Sequence, residues 1–196
     1  MKSSELRKLA KLIFECGQLK RTPRSGWTLL GIKNPESVAE HSWRAAVIGL
    51  FLAKSEGADE NKVIKICLLH DIAEGRTGDI NKVADRYIKD KGEREALKEI
   101  LGKLFDNDLL EIAEEYEDRK TKESVIARDA DLLELFVQAR EYEALGSFGS
   151  VSKWMGNSRK AMKTKTAKLL AREIASTEPY SWLRGLKKIP KLTKAL

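Results

Sequence analysis

Apolar residues recur at intervals of three and four along most of the chain, which is the spacing of one face of an α-helix. No segment alternates apolar and polar residues for long enough to require a strand. The pattern therefore predicts an all-α fold, a single-domain helical bundle. The predicted helices span residues 4–18, 37–55, 60–73, 80–90, 93–105, 108–117, 122–145 and 157–175, with a short helix near 179–187.

The breaks between these helices carry turn residues rather than the composition of a linker. The chain of 196 residues has no internal repeat and no low-complexity segment. We therefore expect one domain over residues 1–196, with a core over about residues 5–175 and a basic extension over residues 176–196.

The formal net charge of +7 favours anionic partners but does not choose among nucleotides, nucleic acid and a membrane surface. Much of the excess lies in the last third of the chain, without the interleaved aromatic residues of a nucleic-acid interface. We therefore read it as a solvated helix face and tail, and expect no nucleic-acid partner. No stretch has the apolar length of a signal peptide or membrane span, and Cys16 and Cys67 form no CxxC motif. We expect a cytoplasmic protein without membrane contact.

Candidate chemistry is concentrated around the two histidines of the chain, each of which has a carboxylate directly beside it. Glu40 precedes His41, and Asp71 follows His70. A lone histidine on an apolar helix is more often a core residue bonded to a backbone carbonyl. A pair with neighbouring carboxylates instead favours a metal site, because imidazole is a common ligand and a carboxylate can join or orient it.

Further acidic residues follow His70. Glu74 lies four residues after His70, on the same helical face, and Asp79 follows a turn that contains Gly75 and Gly78. Both residues therefore become candidates for catalysis. The alternative hypotheses are that Glu74 is a solvated charge at a helix end and that Asp79 caps a helix starting at Ile80.

The remaining ligand of the metal site is expected to be a carboxylate from the acidic helix around residue 130. Asp129 and Asp131 are two residues apart and face opposite ways, so only one can point into the bundle. We choose Asp131, which makes Asp129 a surface residue or an outer support, but helical spacing alone leaves this choice open.

In chain order, His41, His70-Asp71 and Asp131 resemble the H…HD…D pattern of HD-domain phosphohydrolases. Within that family the chain is most similar to the 5'-deoxynucleotidases and the HD domain-containing protein 2 branch, over about residues 5–175. The matching motifs are Trp27, Pro35 to His41, His70-Asp71 with Glu74, Gly78 and Asp79, and Ala130-Asp131.

This resemblance implies a helical bundle of the HD-domain type, usually a homodimer, that hydrolyses deoxynucleoside 5'-monophosphates with cobalt or manganese. The bacterial enzymes have an arginine immediately before the tryptophan, whereas this chain has Gly26 there and its nearest arginine is Arg24. Carried over residue by residue, the resemblance makes His41, His70, Asp71 and Asp131 the metal ligands, Glu74 and Asp79 the catalytic acids, and Trp27 and Arg24 the substrate-binding candidates.

Two imidazoles and two carboxylates suit a divalent transition metal such as Mn, Co, Fe, Ni or Zn better than Mg or Ca. The sequence holds no further histidine for a second ion, so we expect one ion per active site. Glu74 would then orient or deprotonate the attacking water, and Asp79 would bind or protonate the leaving group.

Two other functions fit the same residues. One is an HD hydrolase acting on a nucleoside triphosphate, a cyclic dinucleotide or a guanosine alarmone. The other is a module that binds nucleotide or RNA without turnover, although such a module has no need of Glu74 and Asp79 near the ion.

Overall fold

The computed structural model describes residues 2–88, 91–102, 108–146 and 151–186, with backbone alone at residues 91 and 151–155. Within these ranges the fold is all-α, as predicted, and the only β-type pairing is an isolated bridge between Pro23 and Ser37. The helices are α1 (Ser3–Cys16), α2 (Ser25–Thr28), α3 (Val38–Glu56), α4 (Glu60–Leu69), α5 (Glu74–Thr77), α6 (Lys91–Leu101), α7 (Asp108–Asp118), α8 (Lys122–Ala144), α9 (Val151–Ala161) and α10 (Lys165–Ser176).

Three helices, α3, α4 and α8, pack against one another at the centre of the molecule. Their inward faces carry large side chains that are almost fully buried, among them Leu52, Ile66 and Phe136. A Cβ atom at Gly49 would lie 2.9 Å from Val63 Cγ1, so the absence of a side chain lets α3 approach α4 closely. This close packing brings the start of α3 and the end of α4 together with α8.

Local sequence signals set the ends of these helices. Ser37 and Glu40 form a capping box at the start of α3, and Asp59 caps α4. Gly57 ends α3 with a left-handed φ of 67°, which glycine adopts at little cost. Within the described part of the chain, none of the helices combines the length and the apolar character that a membrane span requires.

The predicted helix over residues 80–90 is wrong in the part that the structure describes. Only a 3-10 turn, Ala84–Arg86, forms there, and residues 89 and 90 lie outside the described ranges. The side chain of Asn81 accepts hydrogen bonds from the backbone N–H groups of Val83 and Ala84, both at 3.1 Å. Such side-chain bonds compete with helix formation.

The predicted helix over residues 157–175 is two helices, α9 and α10, which are separated at residues 162–164. Asp129, expected at the surface or as an outer support of the site, has no exposed area and holds this break. Its carboxylate accepts hydrogen bonds from the backbone N–H groups of Lys163 (2.9 Å) and Thr164 (2.6 Å). Thr164 in turn caps α10 by accepting from the N–H of Ala167.

Other differences are smaller. Residues 17–20 form a 3-10 turn after α1, and the predicted helix 60–73 is interrupted after Leu69. Of the short helix predicted near 179–187, the described residues 179–186 contain only the 3-10 turn Ser181–Leu183. Residues 103–105 of the predicted helix 93–105 lie outside the described ranges, as do residues 187–196 of the basic extension. The boundary of that extension therefore stays a prediction.

We expect Thr164→Ala to lower the free energy of unfolding by about 2 kcal/mol, because the first turn of α10 loses its side-chain cap and the buried Asp129 carboxylate loses the 2.7 Å hydrogen bond from the Thr164 hydroxyl. Urea denaturation followed by circular dichroism measures this change. Lys168→Ala is the control on the same helix, since the Lys168 side chain is exposed and the residue contributes its backbone N–H to α10 through a bond to the Thr164 carbonyl. Equal stability of the two variants would contradict the capping role.

Candidate metal centre

The predicted metal ligands come together from the three central helices. His41 lies in the first turns of α3, His70 and Asp71 directly follow α4, and Asp131 lies on α8. The donor atoms of His41, His70 and Asp71 all lie within 4.8 Å of one another. Asp131 stands beside this group, with Oδ1 3.3 Å from His41 Nε2.

Both histidines direct the same ring nitrogen, Nε2, toward Asp71. Asp71 Oδ2 lies 3.1 Å from His70 Nε2 and 3.7 Å from His41 Nε2. Both nitrogens are buried, yet neither makes a hydrogen bond with any residue that the structure describes. Buried ring nitrogens are normally paired, so their convergence on a carboxylate oxygen fits a divalent metal ion held between them.

The other ring nitrogen of each histidine is occupied. His41 Nδ1 donates to Glu134 Oε2 at 2.5 Å, and His70 Nδ1 donates to the backbone carbonyl of Cys67 at 2.8 Å. These bonds orient both rings and leave Nε2 as the available donor atom.

Asp131 is likewise oriented through one of its two oxygens. Oδ2 accepts from the Tyr116 hydroxyl at 2.5 Å and from Arg128 Nη1 at 2.6 Å. Oδ1, the oxygen near His41, is thereby directed into the centre. Burial raises the pKa of Asp131, but His41 and Arg128 outweigh it and hold that pKa well below its usual value.

The centre carries an excess of negative charge in the protein alone. Burial and the Arg24 charge lower the pKa of His41, yet Glu134 and Asp131 outweigh both and raise it to about 10. The imidazole therefore takes up a proton in place of a cation. A divalent ion between the ligands would supply that positive charge instead.

Glu74, the first residue of α5, is buried beside this centre, with 8% of its area exposed. Burial, together with repulsion from Asp71 and Asp79, raises the pKa of Glu74 to about 11. Its Oε2 has no hydrogen-bond partner within the described ranges. The alternative hypothesis that Glu74 is a solvated helix-end charge is therefore wrong.

Asp79 contacts Arg24 and Ser25, the residues at the start of α2, and no helix begins at Ile80, so Asp79 does not cap a helix of its own segment. Its Oδ2 accepts from the backbone N–H of Ser25 at 2.5 Å, and its Oδ1 lies 3.2 Å from Arg24 Nη1. The alternative that Asp79 caps a helix starting at Ile80 is thus wrong. Arg24 Nη1 also lies 3.1 Å from Asp71 Oδ2, so this arginine joins the start of α2 to the centre.

Trp27 is buried and does not line an open pocket. Only 1% of its area is exposed, and its indole N–H donates to Glu36 Oε1 at 3.0 Å. The ring packs edge to face against Tyr142, with 5.2 Å between centroids. In this structure Trp27 therefore supports Glu36.

The sequence analysis missed three residues that contact the ligands, Tyr116, Arg128 and Glu134. It also missed Arg44, which contacts Glu134. The spacing of Arg128, Asp131 and Glu134, three residues apart each time, places them on one face of α8. That spacing was a usable signal for Arg128 and Glu134. Tyr116 lies on a different helix, and nothing local to it indicates the contact.

Comparison with known proteins agrees with this geometry. The HD domain family profile matches residues 16–173, a range that contains all four predicted ligands. The chain is 36% identical to the 5'-deoxynucleotidase HDDC2 of Bos taurus over 144 residues, which cover 71% of this chain and 70% of the bovine protein.

Two solved structures are also similar. One, a conserved hypothetical protein from Pyrococcus furiosus, is 35% identical with a TM-score of 0.73, and the match covers 85% of this chain and 96% of that one. The other is described as a predicted metal-dependent phosphohydrolase from Magnetospirillum magnetotacticum. It is 26% identical with a TM-score of 0.70, covering 88% of this chain and 94% of that one. With the family match spanning most of its length, this chain belongs to the HD domain family.

Proposed function

We propose that this chain is a metal-dependent 5'-deoxynucleotidase, which hydrolyses deoxynucleoside 5'-monophosphates to deoxynucleoside and phosphate. The observation that carries the proposal is the pair of buried, unpartnered Nε2 atoms of His41 and His70 facing Asp71. The substrate class comes from similarity to 5'-deoxynucleotidases such as the bovine protein.

In this proposal His41, His70, Asp71 and Asp131 hold one divalent transition-metal ion, with Co or Mn first and Ni, Fe or Zn as further candidates. Two imidazoles and two carboxylates favour these ions over Mg and Ca. Such an ion would supply Lewis-acid chemistry: it would polarise a phosphoryl oxygen and lower the pKa of the attacking water.

The chain's own residues supply the proton transfers. Glu74 is the proton acceptor for the attacking water, and its unpartnered Oε2 supports this role. Its pKa is high in the protein alone because carboxylates surround it, and a cation in the centre would lower that pKa. As the bond between phosphorus and the 5' oxygen breaks, Asp79 in its protonated form binds that oxygen and gives it a proton, and the proton that Glu74 takes from the water keeps the balance.

Arg24 is the candidate phosphate contact, because Gly26 stands where the bacterial enzymes have an arginine and Arg24 is the nearest arginine. Its guanidinium already lies beside Asp71 and Asp79, and a guanidinium suits phosphate oxygens. Trp27 as a wall of the nucleotide pocket stays a prediction, since its burial gives it the place of a supporting residue in this structure.

We also propose that the protein is a cytoplasmic homodimer. An exposed apolar stripe on α3 supports the dimer: Trp43, Val47 and Phe51 lie four residues apart and face away from the core. The cytoplasmic location is supported by the two cysteines, both of which are free thiols.

We expect His70→Ala to lose its tightly bound metal, because the variant lacks one of two imidazole donors. Elemental analysis after desalting measures metal per chain. Asp129→Asn is the control for a buried polar substitution, and it should retain the wild-type metal content. A full equivalent of tightly bound metal in His70→Ala, with wild-type activity, would show that the ligand assignment is wrong.

We expect Glu74→Gln to keep its metal and lose turnover by about a hundredfold to ten-thousandfold, since the amide cannot accept the water proton. Steady-state phosphate release and elemental analysis on one sample separate the two effects. Arg76→Gln is the matched control on α5, because Arg76 contacts Glu15 and Glu99 outside the centre. Turnover of Glu74→Gln within about threefold of wild type, at full metal content, would remove Glu74 from the mechanism.

We expect a larger kcat/KM for a deoxynucleoside 5'-monophosphate than for the ribonucleotide with the same base, by about tenfold or more. Phosphate release from matched pairs, measured with several divalent metals, gives this ratio. Nucleoside triphosphates in the same panel test the alternative hydrolase. Equal values for each pair would sink the deoxynucleotidase assignment while leaving a metal-dependent phosphohydrolase.

A further inference from the structure

Glu134 holds His41 on the side of the ring that faces away from the metal ligands. Glu134 Oε2 lies 2.5 Å from His41 Nδ1, and neither side chain has any exposed area. A buried carboxylate without a partner is costly, so its contacts define what it does. One contact is the imidazole, and the other is Arg44.

Arg44 lies three residues after His41 on α3 and reaches Glu134 on α8. Its Nε and Nη2 lie 2.9 Å and 2.7 Å from Glu134 Oε1. Arg44 also contacts the same face of α8 through Gln138 and, at 2.7 Å, Glu141. The ion pair therefore joins the two helices that carry His41 and Asp131.

The carboxylates here could also be interpreted as a second metal site. Donor atoms of Glu36, His41 and Glu134 lie within 4.8 Å of one another. Arg44 Nη2, however, lies 2.7 Å from Glu134 and 3.7 Å from Glu36, so a guanidinium already supplies the positive charge. A metal ion would have to displace both Arg44 and the proton on His41 Nδ1. The geometry favours a support for His41 over a second ion.

The two histidines differ in this support. His70 Nδ1 bonds to the backbone carbonyl of Cys67, which is neutral, whereas His41 Nδ1 bonds to a carboxylate. A carboxylate on the distal nitrogen of a ligating imidazole fixes its tautomer and orientation and raises the basicity of the nitrogen that binds metal.

We propose that Glu134, clamped by Arg44, is a positioning residue that directs His41 Nε2 at the metal and makes His41 the stronger of the two imidazole donors. This inference rests on the proposed metal-dependent function. It assigns to Glu134 and Arg44 a part in metal affinity, although neither residue is a proposed ligand.

The test compares zinc affinity, measured by chelator competition, in wild type and Glu134→Gln. Glutamine has the size of glutamate and can still accept a hydrogen bond, but it lacks the charge. We expect zinc to bind about 10- to 100-fold more weakly to the variant. Asp129→Asn is the matched control, because Asp129 is an equally buried carboxylate on α8 whose partners are Lys163 and Thr164. It should bind zinc as tightly as wild type.

Proton and nitrogen NMR of the zinc-loaded protein provides a readout that a loss of stability would not mimic. The chain has two histidines, so two imidazole N–H signals are expected. In wild type the signal of His41 should lie further downfield than that of His70, because hydrogen bonds to a carboxylate are shorter and stronger. Glu134→Gln should move the His41 signal upfield and leave that of His70 in place.

The outcomes distinguish this inference from the function on which it rests. A wild-type protein that binds no divalent metal overturns the proposed function, and the inference with it. Tight zinc binding by wild type and an affinity within twofold in Glu134→Gln overturn the inference alone. If Glu134→Gln does not fold, the wild-type spectrum decides: a His41 signal no further downfield than that of His70 contradicts the proposal.

Discussion

The constraint on which the site depends is a pair of buried imidazole nitrogens that face one carboxylate oxygen, Asp71 Oδ2. His41 and His70 are both buried, so water cannot relieve the demand for a cation. In the protein alone, bound protons offset part of the negative charge, as the high pKa values of His41 and Glu74 indicate. A divalent ion replaces those protons, and so metal binding and the protonation of the site are linked.

The fold meets this constraint by giving each ligand its own rigid support. His41 lies on α3 and Asp131 lies on α8, two long helices that pack against each other and against α4. His70 and Asp71 directly follow α4. Each side chain also has a partner outside the ligand group: Glu134 for His41, the Cys67 carbonyl for His70, Arg24 for Asp71, and Tyr116 with Arg128 for Asp131. Ligands held in this way need little reorganisation when an ion enters.

The sequence predicted the central helices well, because apolar periodicity and caps are local signals. It also indicated that His41, His70 and Asp71 belong to one site, because each histidine has a carboxylate directly beside it. The placement of Asp129 failed, because its partners Lys163 and Thr164 lie more than thirty residues further along the chain. The predicted helix over residues 80–90 failed for a local reason, since the Asn81 side chain accepts from the N–H groups of Val83 and Ala84 and a short 3-10 turn follows. Contacts between distant segments and local competition by polar side chains are what periodicity does not contain.

Gly49 links the packing of the core to the geometry of the candidate metal centre. It lies two turns from His41, where its missing side chain lets α3 approach α4 closely. His41 lies on α3 and His70 directly follows α4, so the separation of these two helices contributes to the distance between the two imidazoles. A residue without any ligand atom therefore helps to hold the ligands in place. A substitution in the core can change the geometry of the site while every ligand is kept.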